Sequence, residues 1–271
     1  MVRVTAPLLL PLAGWWWPYG PGRVAVTARA LAGGGLPSRV TAPGLGRALQ
    51  VDPSLPPPAD EGPLAPVADA LRAAPPAAGL SLEVDAPVCP SDRWGFVTTA
   101  RVGLAAATAM AVAGWCGGAP ASPAGADQRA VCTGRAAGAT GPPPAGLGAW
   151  LAGRALLFAG GRALVAGEDE LGPRLAGAAG DAADAERWQA AARGAGLTGR
   201  SERERALWSA LRRAGLIAQA PVADGLRLGL VAPEDRGDLE EALEAHGLPT
   251  LPLDLEGAAG LLTDDRGGPT G

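Results

Sequence analysis

The chain has no lysine and no asparagine, one histidine, one isoleucine and three cysteines. Each shortage removes some chemistry. Without lysine there is no Schiff-base nucleophile and no Walker-A loop, whose grip on phosphate needs Gly-Lys before Ser or Thr. One histidine cannot build a multi-histidine metal centre. His246 lies in Glu244-Ala245-His246-Gly247 and reads as a helix end before a C-cap glycine. Cys89, Cys116 and Cys132 form no Cys-x-x-Cys pair. That argues against zinc and against a disulfide framework, and for reduced thiols in a cytoplasm. Positive charge is also scarce. Twenty-three arginines face 27 acidic residues, a net charge of −4, and no basic run stands out, so a nucleic-acid partner is not expected. Ala100 to Trp115 is the main apolar run. It is shorter than the roughly 20 residues a bilayer needs and reads as a buried helix, with no membrane partner. The opening Met1 to Pro7 is not a signal peptide, because Leu8-Leu9-Leu10 is short and is broken by Pro7 and Pro11.

What is present suits a folded enzyme-sized chain. The 271 residues are 48% hydrophobic, enough for one large domain or two small ones. Forty-one glycines and 27 prolines follow no collagen period, so they mark turns. The skew towards Ala, Gly, Pro, Arg and Val resembles GC-rich coding bias.

Val2 to Leu12 reads as a strand in which Pro7 and Pro11 demand an edge, a bulge or a break. Gly14 to Gly22, with Trp15-Trp16-Trp17, is punctuated as a loop, and Arg23 to Leu31 alternates as a second strand. Arg39 to Val51 holds one or two strands, Leu64 to Ala74 a helix, Leu80 to Val84 a strand, and Thr98 to Cys116 a long helix with Thr98 as a candidate N-cap. A helix is expected at Asp127 to Ala137, and a hairpin around Gly160-Gly161. Asp181 to Arg193 and Ser201 to Ala214 read as helices, the second opened by the capping box Ser201-Glu202-Arg203-Glu204. Leu226 to Val231, Pro233 to His246 and Thr250 to Leu255 close as strand, helix, strand. The fold class is α+β. The expected lobes are 1–150 and 151–262, with a disordered tail over 263–271.

Leu80 to Val84, Pro90, Gly95 and the paired hydroxyls of Thr98 and Thr99 lead into the long helix, a plausible anion site, since first-turn amides have no internal partners. These residues resemble the GHMP superfamily, named for galactokinase, homoserine kinase, mevalonate kinase and phosphomevalonate kinase. Thr5-Ala6-Pro7-Leu8 is similar to its opening Ala-Pro strand. Gly95-Phe96-Val97-Thr98-Thr99-Ala100 is similar to its Gly-Leu-Gly-Ser-Ser-Ala phosphate motif, with Val97 in place of the second glycine. A rival register puts Gly103-Leu104-Ala105-Ala106-Ala107 on that motif. Gly134-Arg135-Ala136, the Gly146 to Gly161 stretch and Gly215 to Pro221 look like the β-ribofuranosylaminobenzene 5′-phosphate synthase branch. The resemblance implies a two-lobed fold, with an N-terminal lobe like domain 2 of ribosomal protein S5 and a small ferredoxin-like C-terminal lobe. By that resemblance the protein transfers a phosphoribosyl group to a hydroxybenzoate-type acid in methanopterin-type cofactor biosynthesis. An ATP-dependent small-molecule kinase, and a non-catalytic binding or subunit-partner protein, are the alternatives.

The residues expected to carry this chemistry follow from the same motifs. Gly95, Val97, Thr98, Thr99 and Arg135 are expected at phosphate, with Arg101 a further candidate, and Asp127 as the catalytic base. Asp127 reads equally as a helix N-cap. Trp15, Trp16, Trp17 and Gln219 are expected at substrate, the tryptophans as an aromatic platform, a lid between lobes or a dimer contact. By resemblance Mg²⁺ is expected, with Asp92 or Asp85 helping to hold it. The expected partners are a phosphorylated small molecule or nucleotide and a second copy of the chain.

Overall fold

The computed structural model describes residues 1–31, 37–58, 60–73, 76, 78–85, 96–118, 125–139, 141–159, 169–178, 185–199, 201–223, 225–251, 253, 255, 260 and 262–265. Two strands open it, β1 (Val2–Leu12) and β2 (Trp15–Ala30). They form one long hairpin closed by Ala13 and Gly14, whose φ values of 54° and 86° match the twist of a two-residue turn. Gly14 to Gly22 is therefore largely strand, not the expected loop. Across the hairpin Leu8, Leu10 and Leu12 face Tyr19, Trp17 and Trp15, and these cross-strand apolar pairs outweigh the Gly and Pro punctuation. The break at Pro7 is a bulge, where Pro7 faces Arg23 and Leu8 faces Tyr19.

Around this hairpin grows a seven-stranded sheet. It includes β3 (Ser38–Ala42), β4 (Arg47–Val51), β5 (Leu80–Asp85), β6 (Ala137–Gly138) and β11 (Leu262–Asp265), in the order β11-β1-β2-β5-β3-β4 with β6 on the end of β2. β3 runs parallel to β5, and the sheet's other pairings are antiparallel. Thr263 to Asp265, expected in a disordered tail, are strand because β1 offers a free edge that they pair. Helices α1 (Ala65–Ala73), α2 (Phe96–Cys116) and α3 (Ala126–Thr133) pack with this sheet.

The second sheet has four strands in the order β10-β7-β9-β8, namely β7 (Ala155–Ala159), β8 (Leu216–Ala223), β9 (Leu226–Val231) and β10 (Thr250–Leu251). With it are α4 (Leu147–Arg154), α5 (Leu171–Ala178), α6 (Ala185–Ala192), α7 (Glu202–Arg213) and α8 (Arg236–Ala245). Every residue of β9 is buried, as befits a strand flanked on both sides. Ser201 caps α7 as expected, since Glu204 N donates to Ser201 Oγ at 3.1 Å. β10 is only two residues long, shorter than the strand expected to Leu255. One hydrophobic cluster runs from Val2 through Leu157 to Leu230 and joins the sheets. A smaller one, around Trp208 and Leu243, lies under α7 and α8. Among the described residues no helix is long and apolar enough to cross a membrane. The expected hairpin around Gly160-Gly161 lies outside the described residues.

Candidate functional site

Helix α2 lies so close to β1 that Gly103 has no room for a side chain and Gly114 has little. A Cβ on Gly103 would sit 2.8 Å from the carbonyl oxygen of Pro7, and one on Gly114 would sit 3.3 Å from Val2 Cγ1. The later helix residue meets the earlier strand residue, so α2 runs antiparallel to β1. Seven residues separate Phe96 from Gly103, roughly 10 Å of helix, or about three strand residues beyond Pro7. The first turn of α2 thus points to the level of Leu10 and its partner Trp17, at the closed end of the hairpin.

The same helix holds both candidate motif registers. Gly103 to Ala107 lie inside α2, where every amide is used by the helix, so they form no phosphate turn. The amides of Phe96, Val97 and Thr98 belong to the first turn and have no carbonyl four residues back within the helix. Thr98 is consequently the third helical residue rather than the N-cap. Val97 is helical, so its backbone needs no positive φ. Gly95 and Asp92 lie outside the described residues.

Helix α3 brings a carboxylate to the same end of the sheet. Arg129 Nη2 donates to the carbonyl of Gly138, which pairs with Trp15, and Asp127 stands half a turn earlier. Asp127 is half-buried, and its Oδ1 accepts from Gln128 N at 2.8 Å. The N-cap is Gly125, without a side-chain cap, so Asp127 is not the cap. Arg135 is exposed just beyond the C-cap Gly134, and Arg101 is exposed on α2. Asp85 is taken up by a surface ion pair with Arg3 at 3.1 Å. Among the described residues no three His, Cys, Asp or Glu side chains cluster as a metal site.

The three tryptophans do not form an open platform. Trp15 and Trp17 are buried on one face of β2, and Trp17 Nε1 donates to Leu12 O at 3.1 Å. Trp16 faces the other way and is half-buried. Gln219 is also interior, 4% exposed. Its Nε2 donates to Gly196 O and its Oε1 accepts from Arg227 Nη1, both at 2.5 Å. Arg227 is 4% exposed, stacks over Trp208 at 5.8 Å and is attracted by Glu204. Burial lowers the affinity of that guanidinium for its proton, and Glu204 opposes the shift. Both ends of the Gln219 amide are thereby committed to holding α7 and the 194–199 turns on β8.

Sequence reasoning missed a second group beside the hairpin end. Trp17 packs against α4, where a Cβ on Gly148 would lie 3.0 Å from its ring. Two residues on, Trp150 meets Trp188 of α6 edge to face. The indole nitrogens of both, and Arg154 Nε, are buried without a hydrogen-bond partner. Each such donor costs about 1–3 kcal/mol. The four-residue spacing of Trp150 and Arg154 was the available signal.

No protein-family model matches the chain, and no curated protein matches it in sequence. Solved structures do match in shape. A protein described as a sugar kinase from Campylobacter jejuni superposes with a TM-score of 0.59 at 12% identity, covering 97% of this chain and 98% of its own. A D-glycero-D-manno-heptose 1-phosphate kinase from Bacteriodes thetaiotaomicron gives 0.56 at 13%, covering 98% and 99%. A mevalonate kinase gives 0.53 at 9%, covering 93% and 98%. The chain has the GHMP-kinase fold. Each of these matches spans nearly the whole of both chains.

Proposed function

We propose that the protein is a GHMP-type phosphotransferase that moves the terminal phosphoryl group of a nucleoside triphosphate to a hydroxyl of a small molecule. The observation that carries this reading is the first turn of α2, aimed at the closed end of the β1–β2 hairpin in a chain whose whole length follows kinase structures. The amides of Phe96, Val97 and Thr98, with the Thr98 and Thr99 hydroxyls, are assigned to the phosphates. Asp127 takes the proton of the attacking hydroxyl. The acceptor oxygen bonds to the terminal phosphorus as the bond to the bridging oxygen breaks, and the nucleoside diphosphate leaves. With no lysine in the chain, charge on the transferring group is met by amides, by arginines such as Arg135, and by Mg²⁺. Mg²⁺ commonly binds through one or two carboxylates when phosphates supply its other ligands. Bound there, it would neutralise phosphate charge.

The synthase branch shares the diphosphate anchor but not the transferred group, and the solved structures named above are kinases, which favours phosphoryl transfer. Calorimetry with Mg²⁺ and a nucleoside triphosphate tests the reading. Binding is expected, and Thr98→Ala with Thr99→Ala is expected to abolish it. Heat with phosphoribosyl pyrophosphate and none with nucleotide would restore the synthase. No heat with either leaves a binding or subunit-partner protein.

A further inference from the structure

We propose that Trp150, Trp188 and Arg154 form a separate anion point that holds a carboxylate or phosphate of the acceptor substrate, an assignment that rests on the phosphoryl-transfer reading. The two indoles are 6% and 2% exposed, with ring centroids 5.8 Å apart and planes at 62°. The guanidinium of Arg154 lies 5.6 Å from the centre of the Trp150 ring. One cluster therefore gathers three buried N–H donors, Trp150 Nε1, Trp188 Nε1 and Arg154 Nε, none of which meets an acceptor among the described residues.

Most buried donors in proteins are paired, and this cluster cannot pair its own. Indole and guanidinium are donors only, so no rotamer change within the group creates an acceptor. An N–H aimed at the facing ring recovers a weak contact at best. Among the described residues no carboxylate pairs with Arg154. An anionic oxygen supplies both missing properties, lone pairs and negative charge. A cation has the wrong sign, and an apolar ligand leaves the donors unpaired. Location agrees, since α4 touches Trp17 through Gly148, at the hairpin end that the first turn of α2 faces. A substrate held by its anion at α4 and α6 can present a hydroxyl towards a nucleotide at α2.

The test follows the indole N–H signals in ¹H–¹⁵N correlation spectra of the whole protein without nucleotide, assigned with Trp150→Phe and Trp188→Phe. Inorganic phosphate is titrated in one arm and malonate in the other. Both signals are expected to move downfield and saturate, with binding about tenfold weaker in Arg154→Gln. Saturation by phosphate alone assigns a phosphorylated substrate, by malonate alone a carboxylate, and by both an oxyanion of either kind. Signals that stay in place, or only drift as they do in sodium chloride of equal ionic strength, overturn the proposal. Nucleotide is absent, so failure here is distinct from failure of phosphoryl transfer, which calorimetry reads.

Discussion

A methyl group on Gly103 would come within 2.8 Å of a backbone carbonyl, closer than real Cβ atoms approach. Gly103→Ala is expected to destabilise the protein by about 1–3 kcal/mol through forced displacement of α2. Gly153→Ala, with nothing within 4 Å of the new methyl, should gain up to about 1 kcal/mol from helix propensity. Urea unfolding of the pair separates packing from propensity. Cysteines give a second contrast. Cys116 is exposed, whereas Cys132 is half-buried and burial raises its pKa above the 9.0 of a free thiol. Cys116 should react first with iodoacetamide. The unfolded chain loses the Cys132 proton at lower pH than the folded one, so above about pH 9 this residue makes stability fall as pH rises. Stability curves of Cys132→Ala and the parent should converge there. At this scale much was legible: Ser201 as a cap and the Pro7 bulge both follow from local chemistry. The burial of Trp15, Trp17 and Gln219 was not legible, because it depends on the partner strand, which local sequence does not display.

Whole elements show where pattern reading succeeds and fails. The amphipathic α7 and the strong strand β9 were plain in the sequence, because each carries its own periodicity. Helices α4 and α5 and strand β8 were not, since their Ala- and Gly-rich stretches have weak periodicity and are held by neighbours. Arg227 of β9 and Gln219 of β8 are the means of holding α7, through Trp208, and the 194–199 turns, through Gly196. Gln219→Leu is expected to cost about 2–4 kcal/mol, because it strips a partner from a buried guanidinium. Adding Arg227→Met should recover most of that loss. A thermal-melt double-mutant cycle checks this, and additive losses would show that the two side chains act independently.

The molecule as a whole joins its two sheets in one hydrophobic cluster and draws its last described strand back to its first. Arg23 fixes that return by donating to Gly260 O at 2.9 Å. Removing residues 262–271 is expected to bare β1 as an edge, speed hydrogen exchange at its outward amides and promote self-association. Exchange measured by mass spectrometry, with β9 as the internal reference, reads this directly. The overall α+β layout was legible because strand and helix patterns follow one another in order. The closing strand was not, since Leu262 to Asp265 carries no alternation strong enough to announce a partner some 260 positions away. This long-distance pairing also bears on how the protein is made. During synthesis β1 emerges some 260 residues before the strand that flanks it. The seven-stranded sheet thus stays incomplete until residues 262–265 arrive, and until then a sticky β-edge is open to chaperones or to neighbouring nascent chains.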